Sequence, residues 1–270
     1  MIAILLSTYN GEKYLANQLS SIITQSYTNY KLYIVDDGSN DKTVEIINEF
    51  ANSDKRVVKL YKKSVHDGPC ISFMWLLEQI YADFYFFCDQ DDVWMSDKIK
   101  KSMALAEQCS TNKPLLIHSD LKIVDESMHL LYNSFWEFNG TKHAEFSSFD
   151  FHCAYNNIPG CAMLINKVTR DLSLPIPKSA KMHDAWIALV VSYNEGLILA
   201  INEPLIYYRQ HTNNTIGARE SRTILQKIYH IKLIIRENSN LYQTVNKLQS
   251  MTVFQFMLNK LKIYIKLVKH

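Results

Sequence analysis

No window of this sequence reaches the roughly 18 uninterrupted apolar residues of a membrane-spanning helix. Its five cysteines, spread from position 70 to position 161, include no Cys-x-x-Cys pair. That argues against a zinc module, and the odd count suits a reducing compartment better than a disulfide scaffold. The opening segment MIAILLSTYNGEKYL has neither a basic start nor a cleavage pattern, so it reads as a strand and not a signal peptide. Internal repeats, low-complexity linkers and basic–aromatic nucleic-acid motifs are missing as well. These absences leave a soluble or membrane-surface protein of the cytosol, with no nucleic acid as partner. What is present is apolar bulk: 270 residues, 47% hydrophobic and 12% aromatic, enough for a large buried core in one or two domains.

The net charge of +2 conceals an asymmetry. Residues 219–270 hold ten Lys/Arg and two Asp/Glu, leaving nineteen basic and twenty-five acidic residues in the first 218. A mildly acidic body with a basic tail points to an anionic surface as the tail's partner.

Two hydrophobic periods alternate through the first half. Short apolar runs at Ile2–Ser7, Lys31–Val35, Val57–Tyr61, Asp83–Cys88 and Leu115–His118 have strand length. Between them, Leu15/Leu19/Ile22/Ile23, Val44/Ile47/Ala51, Phe73/Leu77/Ile80 and Ile99–Ala106 fall at helical spacing. Such alternation predicts βαβ units, an α/β fold and a mostly parallel sheet flanked by helices, whose ligands sit beyond the carboxyl ends of the strands. Residues 1–125 read as a nucleotide-binding half. Residues 126–217 are less regular, with a Cys161–Asn166 strand and a helix from His183 to Tyr193, and complete one domain. Residues 218–270 predict a helical extension.

The polar residues collect at three strand ends. Asp89-Gln90-Asp91-Asp92 follows the buried-looking run Phe84–Cys88. Three carboxylates there repel one another unless a hard divalent cation, Mn²⁺ or Mg²⁺, sits among them with a phosphate as co-ligand. Helix capping accounts for one of them but hardly for three. Asp36-Asp37-Gly38-Ser39 is compatible with a simple turn. Its position beside Thr8-Tyr9-Asn10 also suits a carboxylate accepting from a nucleobase N–H and ribose hydroxyls. Asp184, at the start of a helix, is either a cap or a general base held over the site. Just past the apolar strand Leu205–Tyr208, Arg209-Gln210-His211 with Thr212-Asn213-Asn214 forms a donor-rich loop in which His211 could complete a metal shell or bind phosphate.

Near the C-terminus Phe254, Met257, Leu258, Leu261, Tyr264, Ile265 and Val268 make a helical stripe with Lys262, Lys266 and Lys269 off it. The pattern fits an interfacial amphipathic helix on anionic lipid. A helix packed on its own domain or on a twin subunit would carry the same stripe.

The segments STYNGEKYL, VDDGSNDKT and CDQDDVWMSDKI resemble the family 2 glycosyltransferases of GT-A fold. Pro159–Leu164, His183-Asp184-Ala185-Trp186 and Tyr208–His211 with Asn213-Asn214 resemble the family's bacterial rhamnosyltransferase-like branch. The resemblance covers about 1–217, with the motifs in the family's order. It implies that Thr8, Tyr9, Asn10, Asp36, Asp37, Asp89 and Gln90 bind the nucleotide sugar. Asp91, Asp89 and His211 would hold the metal, with Asp92 as an alternate, and Asp184 would be the catalytic base. Gly160, Cys161, His183 and Trp186 would wall the acceptor pocket. One departure is the His-Asp pair before Ala185, where much of the family has Glu-Asp.

The family's processive polymerases carry membrane spans and a QxxRW motif, both missing here, which favours transfer of a single sugar. The implied enzyme is inverting and metal-dependent, moving L-rhamnose from dTDP-rhamnose to a lipid-linked glycan for O-antigen or capsule. It would lie at the inner face of the plasma membrane through its C-terminal helices, with a homodimer possible in principle. The alternatives are a UDP-hexose donor, a phosphohydrolase or nucleotidyltransferase using the same carboxylates, and a non-catalytic membrane-surface module.

Overall fold

The computed structural model describes residues 1–63, 66–110, 112–140, 147–211 and 231–268, with side chains described only over 236–265 in the last of these segments. Five parallel-sheet strands follow the apolar runs: β1 (Ile2–Thr8), β2 (Tyr30–Asp36), β3 (Val57–Leu60), β4 (Phe84–Cys88) and, after the two-residue β5 (Val93–Trp94), β6 (Leu115–Val124). Short β7 (Leu130–Tyr132) and β8 (Leu164–Asn166) precede the long β9 (Leu197–Arg209). The sheet order is β3-β2-β1-β4-β8-β6-β9-β5, with β7 pairing beside β6. Strands β3, β2, β1 and β4 run parallel, and β6 and β9 share their direction. Strand β8 runs antiparallel between β4 and β6.

The period-2 geometry of a strand sends alternate side chains to opposite faces, and β1 shows how that builds two cores. Ile2, Ile4 and Leu6 join one cluster, covered by Leu15, Leu19 and Ile22 of α1 (Leu15–Ile23), Ile47 of α2 (Thr43–Ser53) and Ile99 and Met103 of α4 (Lys98–Ala106). Ala3 and Leu5 join the other, covered by Phe73, Met74 and Leu77 of α3 (Pro69–Gln79) and by Ile187, Val190 and Val191 of the helix His183–Tyr193. Because β1 is flanked by parallel strands and covered on both faces, it is apolar throughout rather than alternating. Each of its fully buried leucines contributes about 2 kcal/mol of transfer free energy. Between β7 and β9 lie α5 (Phe135–Phe138), α6 (Phe149–His152), α7 (Lys167–Ser173) and α8 (His183–Tyr193).

Three elements differ from the sequence expectation. The segment Leu115–His118 extends to Val124, and β9 begins eight residues before Leu205. The β6–β9 register shifts around Ser119 and Asp120, opposite Pro204, and this bulge breaks the apolar run that periodicity follows. Cys161 lies in a 3₁₀ turn, Gly160–Ala162, so the strand expected from Cys161 starts only at Leu164.

The C-terminal helices α9 (Ile231–Val245) and α10 (Val253–Val268) pack on α6 and α8. Val245 and Phe256 are buried with Cys153 and Leu189, and Ile263 with Phe151 and Ala154. The residues of α10 that pack inward are therefore not those of the apolar stripe. No described helix is long and apolar enough to cross a membrane.

Candidate active site

The carboxyl ends of β1 and β2 coincide, with Thr8 opposite Asp36. Both aspartates there are engaged by the protein itself. Asp36 accepts from Thr8 Oγ1 at 2.8 Å, from the Gly38 and Ser39 amides at 3.1 and 2.8 Å, and from Ser39 Oγ at 2.6 Å. Asp37 is 3% exposed and pairs with Lys62 Nζ at 2.6 Å, whose side chain is itself buried. It also accepts the amides of Asp67 and Gly68 at 3.2 and 2.8 Å. Lys62 was not singled out from the sequence, where it reads as one surface lysine next to another. Thr8 is buried, whereas Tyr9 is exposed, its ring edge-on to His66 at 5.4 Å. Asn10, at φ +46°, donates its amide N–H to Ser39 Oγ and accepts the Asn40 amide N–H on its side-chain oxygen, tying the two loops together.

Gln90 joins this loop to the end of β4. Its side-chain amide clasps the backbone of Tyr9 in both directions, 2.9 Å each way. Only glycine at position 11 permits the clasp, since a Cβ there would lie 2.4 Å from Gln90 Oε1.

The remaining acids of that segment are differently placed. Asp92 is wholly buried; its Oδ1 accepts the Arg209 amide at 3.2 Å, and its Oδ2 has no nitrogen or oxygen donor. Burial, then repulsion from Asp91 and Asp89, holds its carboxyl well above the usual range. Asp89 is pushed up to about 7, chiefly by burial and then by Asp91 and Asp184. One carboxylate oxygen each from Asp89 and Asp92 lies within 4.8 Å of the Cys161 sulfur and of the other.

Asp91 Oδ2 meets His211 Nε2 at 2.8 Å. Behind them Arg209 donates from Nε to the Asp91 carbonyl and from Nη1 to the Glu126 carbonyl, both at 2.8 Å. The Arg209 guanidinium lies 4.6 Å above the Tyr14 ring, and the His211 ring lies 4.9 Å from the same tyrosine. The ends of β4, β6 and β9 and the start of α1 are thus bound into one rim. The loop Thr212-Asn213-Asn214 and residues 218–230 lie outside the described residues.

Asp184 sits in the first turn of α8, buried, with its Oδ1 on the Ala185 amide at 2.6 Å. Burial pushes its pKa up to about 6 against the hydrogen bonds of Ala185, Asn156 and Gly160. Its electrostatic influence on Asp89 marks it as part of the same acidic cluster.

Two residues expected to wall an acceptor pocket are turned into the core instead. His183 is 4% exposed, between the rings of Phe73 and Phe87 at 4.5 and 5.1 Å, with both ring nitrogens unpaired. Burial lowers its pKa to about 3, so it is neutral. Trp186 donates from Nε1 to the Ser173 carbonyl at 2.7 Å and packs among Phe73, Leu77 and Ile187. The cause lies in α8, which is apolar on almost every face. Cys161 is also buried, while Gly160 is half-buried; a Cβ on Gly160 would strike His183 Nε2 at 2.7 Å.

Lys98, which reads in the sequence as a surface helix position, is wholly buried, its ammonium 4.8 Å from the Trp94 ring. Burial lowers its pKa to about 8, with Cys161, Cys88 and Asp92 pulling it back up.

The donor set favours a hard divalent cation. Asp89 and Asp92 bring carboxylate oxygens within 4.8 Å of each other, and the Asp91–His211 pair lies on the same rim, an oxygen-rich set with excess negative charge that suits Mn²⁺ or Mg²⁺. The Cys161 sulfur lies beside these oxygens but is a softer donor than such a cation prefers, and burial and then the neighbouring acids push its thiol well up.

Comparison with known proteins agrees with this geometry. An uncharacterized glycosyltransferase of Haemophilus influenzae is 36% identical over 125 residues, which are 46% of this chain and 48% of that protein. The chain thus spans about half of that relative's length. The dTDP-rhamnosyl transferase RfbG of Shigella flexneri is 28% identical over 80% of this chain and 75% of its own. The Escherichia coli UDP-Glc:alpha-D-GlcNAc-diphosphoundecaprenol beta-1,3-glucosyltransferase WfgD is 30% identical over 39% of this chain and 40% of its own. Among solved structures, S. aureus TarS 1-349 in complex with UDP-GlcNAc superposes with a TM-score of 0.64 at 15% identity, over 98% of this chain and 72% of that one. Mannosyltransferase PcManGT from Pyrobaculum calidifontis, in complex with GDP-Man and Mn²⁺, gives 0.60 at 14% identity, over 98% and 69%. The fold is therefore GT-A. Residues 3–172, more than half the chain, match the family described as Glycosyl transferase family 2, and the protein belongs to it.

Proposed function

We propose that this glycosyltransferase moves one sugar from a nucleotide-diphosphate donor to a lipid-linked glycan acceptor with inversion at the anomeric carbon. Asp184 is the base, and the observation that carries the reading is its setting: a buried carboxylate raised to about 6, beside the acidic loop. Near neutral pH it is ionised yet poorly hydrated, which suits a proton acceptor. It takes the proton from an acceptor hydroxyl as that oxygen attacks the anomeric carbon from the face opposite the diphosphate. The C–O bond to the diphosphate breaks as the new one forms, so one displacement inverts the centre without a covalent enzyme intermediate.

The chain's other groups bind and orient. The rim of Tyr9, Asn10 and Gln90 receives the base and ribose, shaped from behind by Asp36 and Asp37. Arg209, through the Asp91 carbonyl, fixes the acidic loop against β9. Asp91, Asp89 and His211 would hold Mn²⁺ or Mg²⁺, which supplies Lewis-acid neutralisation of the departing diphosphate when bound.

RfbG supports dTDP-rhamnose as donor and WfgD supports a diphosphate-lipid acceptor; an O-antigen or capsule as product, made at the inner membrane face, rests on the resemblance of the sequence motifs. WfgD and the UDP-GlcNAc complex of TarS favour a second reading with a UDP-hexose donor. A thermal-shift panel separates them, using dTDP-rhamnose, UDP-glucose, UDP-galactose, UDP-N-acetylglucosamine and GDP-mannose with and without Mn²⁺. A donor at 100 times its dissociation constant stabilises by about 2.7 kcal/mol. The proposal expects dTDP-rhamnose alone to do so, only with Mn²⁺, and not in Asp91→Ala. A shift from a UDP-hexose alone selects the second reading, and none from any donor overturns both.

A further inference from the structure

Helix α10 has two apolar faces, and the body covers one. Phe256 and Ile263 turn inward at 1% and 8% exposure, and Asn259 Nδ2 donates to the Asp150 carbonyl at 3.0 Å. On the other side Phe254, Met257, Leu258, Leu261, Tyr264 and Ile265 stay 76%, 51%, 41%, 56%, 48% and 49% exposed. At roughly 100° per residue these six form one continuous stripe opposite the anchored face. Lys260 and Lys262 fall at its two edges. The Lys260 ammonium lies 5.7 and 5.8 Å from the Phe256 and Tyr264 rings and donates to Asn238 Oδ1 at 2.6 Å, whereas Lys262 is exposed at the other edge.

We propose that this face docks on an anionic phospholipid bilayer. Six large apolar side chains in one row on a rigidly anchored helix are more than scattered surface hydrophobes. The row is flanked by lysines within a segment, 219–270, of ten basic and two acidic residues. A second copy of the chain would bring that excess against itself. Anionic headgroups oppose it and leave the stripe to enter the acyl boundary. The helix lies flat, held from the inside by Phe256 and Ile263. This inference stands apart from the chemistry proposed for the active site.

The test floats the full-length protein with phosphatidylglycerol–phosphatidylethanolamine vesicles and with phosphatidylcholine vesicles. The expected result is binding to the anionic vesicles at least about tenfold tighter than to the neutral ones, weakened by added salt. Phe254→Ser/Leu258→Ser/Leu261→Ser, all at exposed positions and checked for an unchanged Tm, lowers binding more than about tenfold. Lys262→Glu lowers it about fivefold. Failure of the wild type to bind anionic vesicles, or equal binding by the triple variant, overturns the proposal. So does light scattering that finds a wild-type dimer and a triple-variant monomer, which assigns the stripe to a second copy. Transfer to a soluble acceptor, measured alongside, is unchanged by the triple variant, so a failed docking face and a failed active-site reading give different results.

Discussion

Two groups of aspartates close the strands of this sheet, and they live under opposite electrostatic conditions. Asp36 and Asp37 are surrounded by donors: backbone amides, hydroxyls and the buried ammonium of Lys62. Asp92 and Asp184 are buried and Asp89 is half-buried; burial raises all three, Asp91 adds to the rise of Asp89 and Asp92, and Asp184 adds to that of Asp89. The first arrangement spends its carboxylates on shaping a loop. The second leaves them short of positive charge. The same residue type therefore braces a loop in one place and carries uncompensated charge in the other.

The largest expected effect comes from removing the base. Asp184→Asn keeps the shape and the Ala185 contact but cannot accept a proton, and kcat falls about 10³-fold while donor-induced thermal shifts remain. In the wild type, kcat is flat above about pH 6 and falls about tenfold per unit below it, because only the carboxylate accepts the acceptor's proton. An acid limb unchanged in Asp184→Asn would sink the assignment.

The paired group is broken by Lys62→Met. Asp37 is then left buried without its counter-charge, at a cost of about 3 kcal/mol in denaturant unfolding. Adding Asp37→Asn recovers much of the loss if the pair, and not packing alone, holds the loop.

His183→Phe sharpens the contrast beneath the site. The histidine's folded pKa of about 3 lies below its ordinary 6.5, so the wild type loses stability as pH falls through that window. The gap between variant and wild type then moves in the variant's favour by about 2 kcal/mol between pH 7.5 and pH 4.5, read from urea midpoints.

The smallest effect is a gain. Asp92→Asn removes a carboxyl whose folded pKa is raised, and such a group's stabilisation exists at low pH and is lost as pH rises. The metal-free variant is about 1 kcal/mol more stable than the wild type at pH 8, with a smaller difference at pH 5. The amide oxygen can still accept the Arg209 N–H.

Much of this site was legible because strand ends are where a period-2 apolar run meets polar residues, and those junctions named Thr8–Asn10, Asp36–Asp37 and Asp89–Asp92 directly. His211 was singled out from its donor-rich loop and again from the resemblance, and its ring meets the Asp91 carboxylate. Partners that arrive from distant segments carried no local signal. Lys62 reaches Asp37 across a loop, and Lys98 enters the core from a helix whose neighbouring lysines face solvent. Orientation failed for His183 and Trp186, because a helix apolar all round has no moment by which to choose a face. The two residues of β5 are too few to show a period.

Strand β8 runs against its two neighbours, so its beginning meets their ends. The turn Gly160–Ala162 is thereby delivered to the acidic loop by a short antiparallel insert, leaving the parallel framework of β1 to β4 complete without it. A change in the turn Gly160–Ala162 can therefore reshape the rim beside the acidic loop while the pairing of β1 to β4 stays as it is.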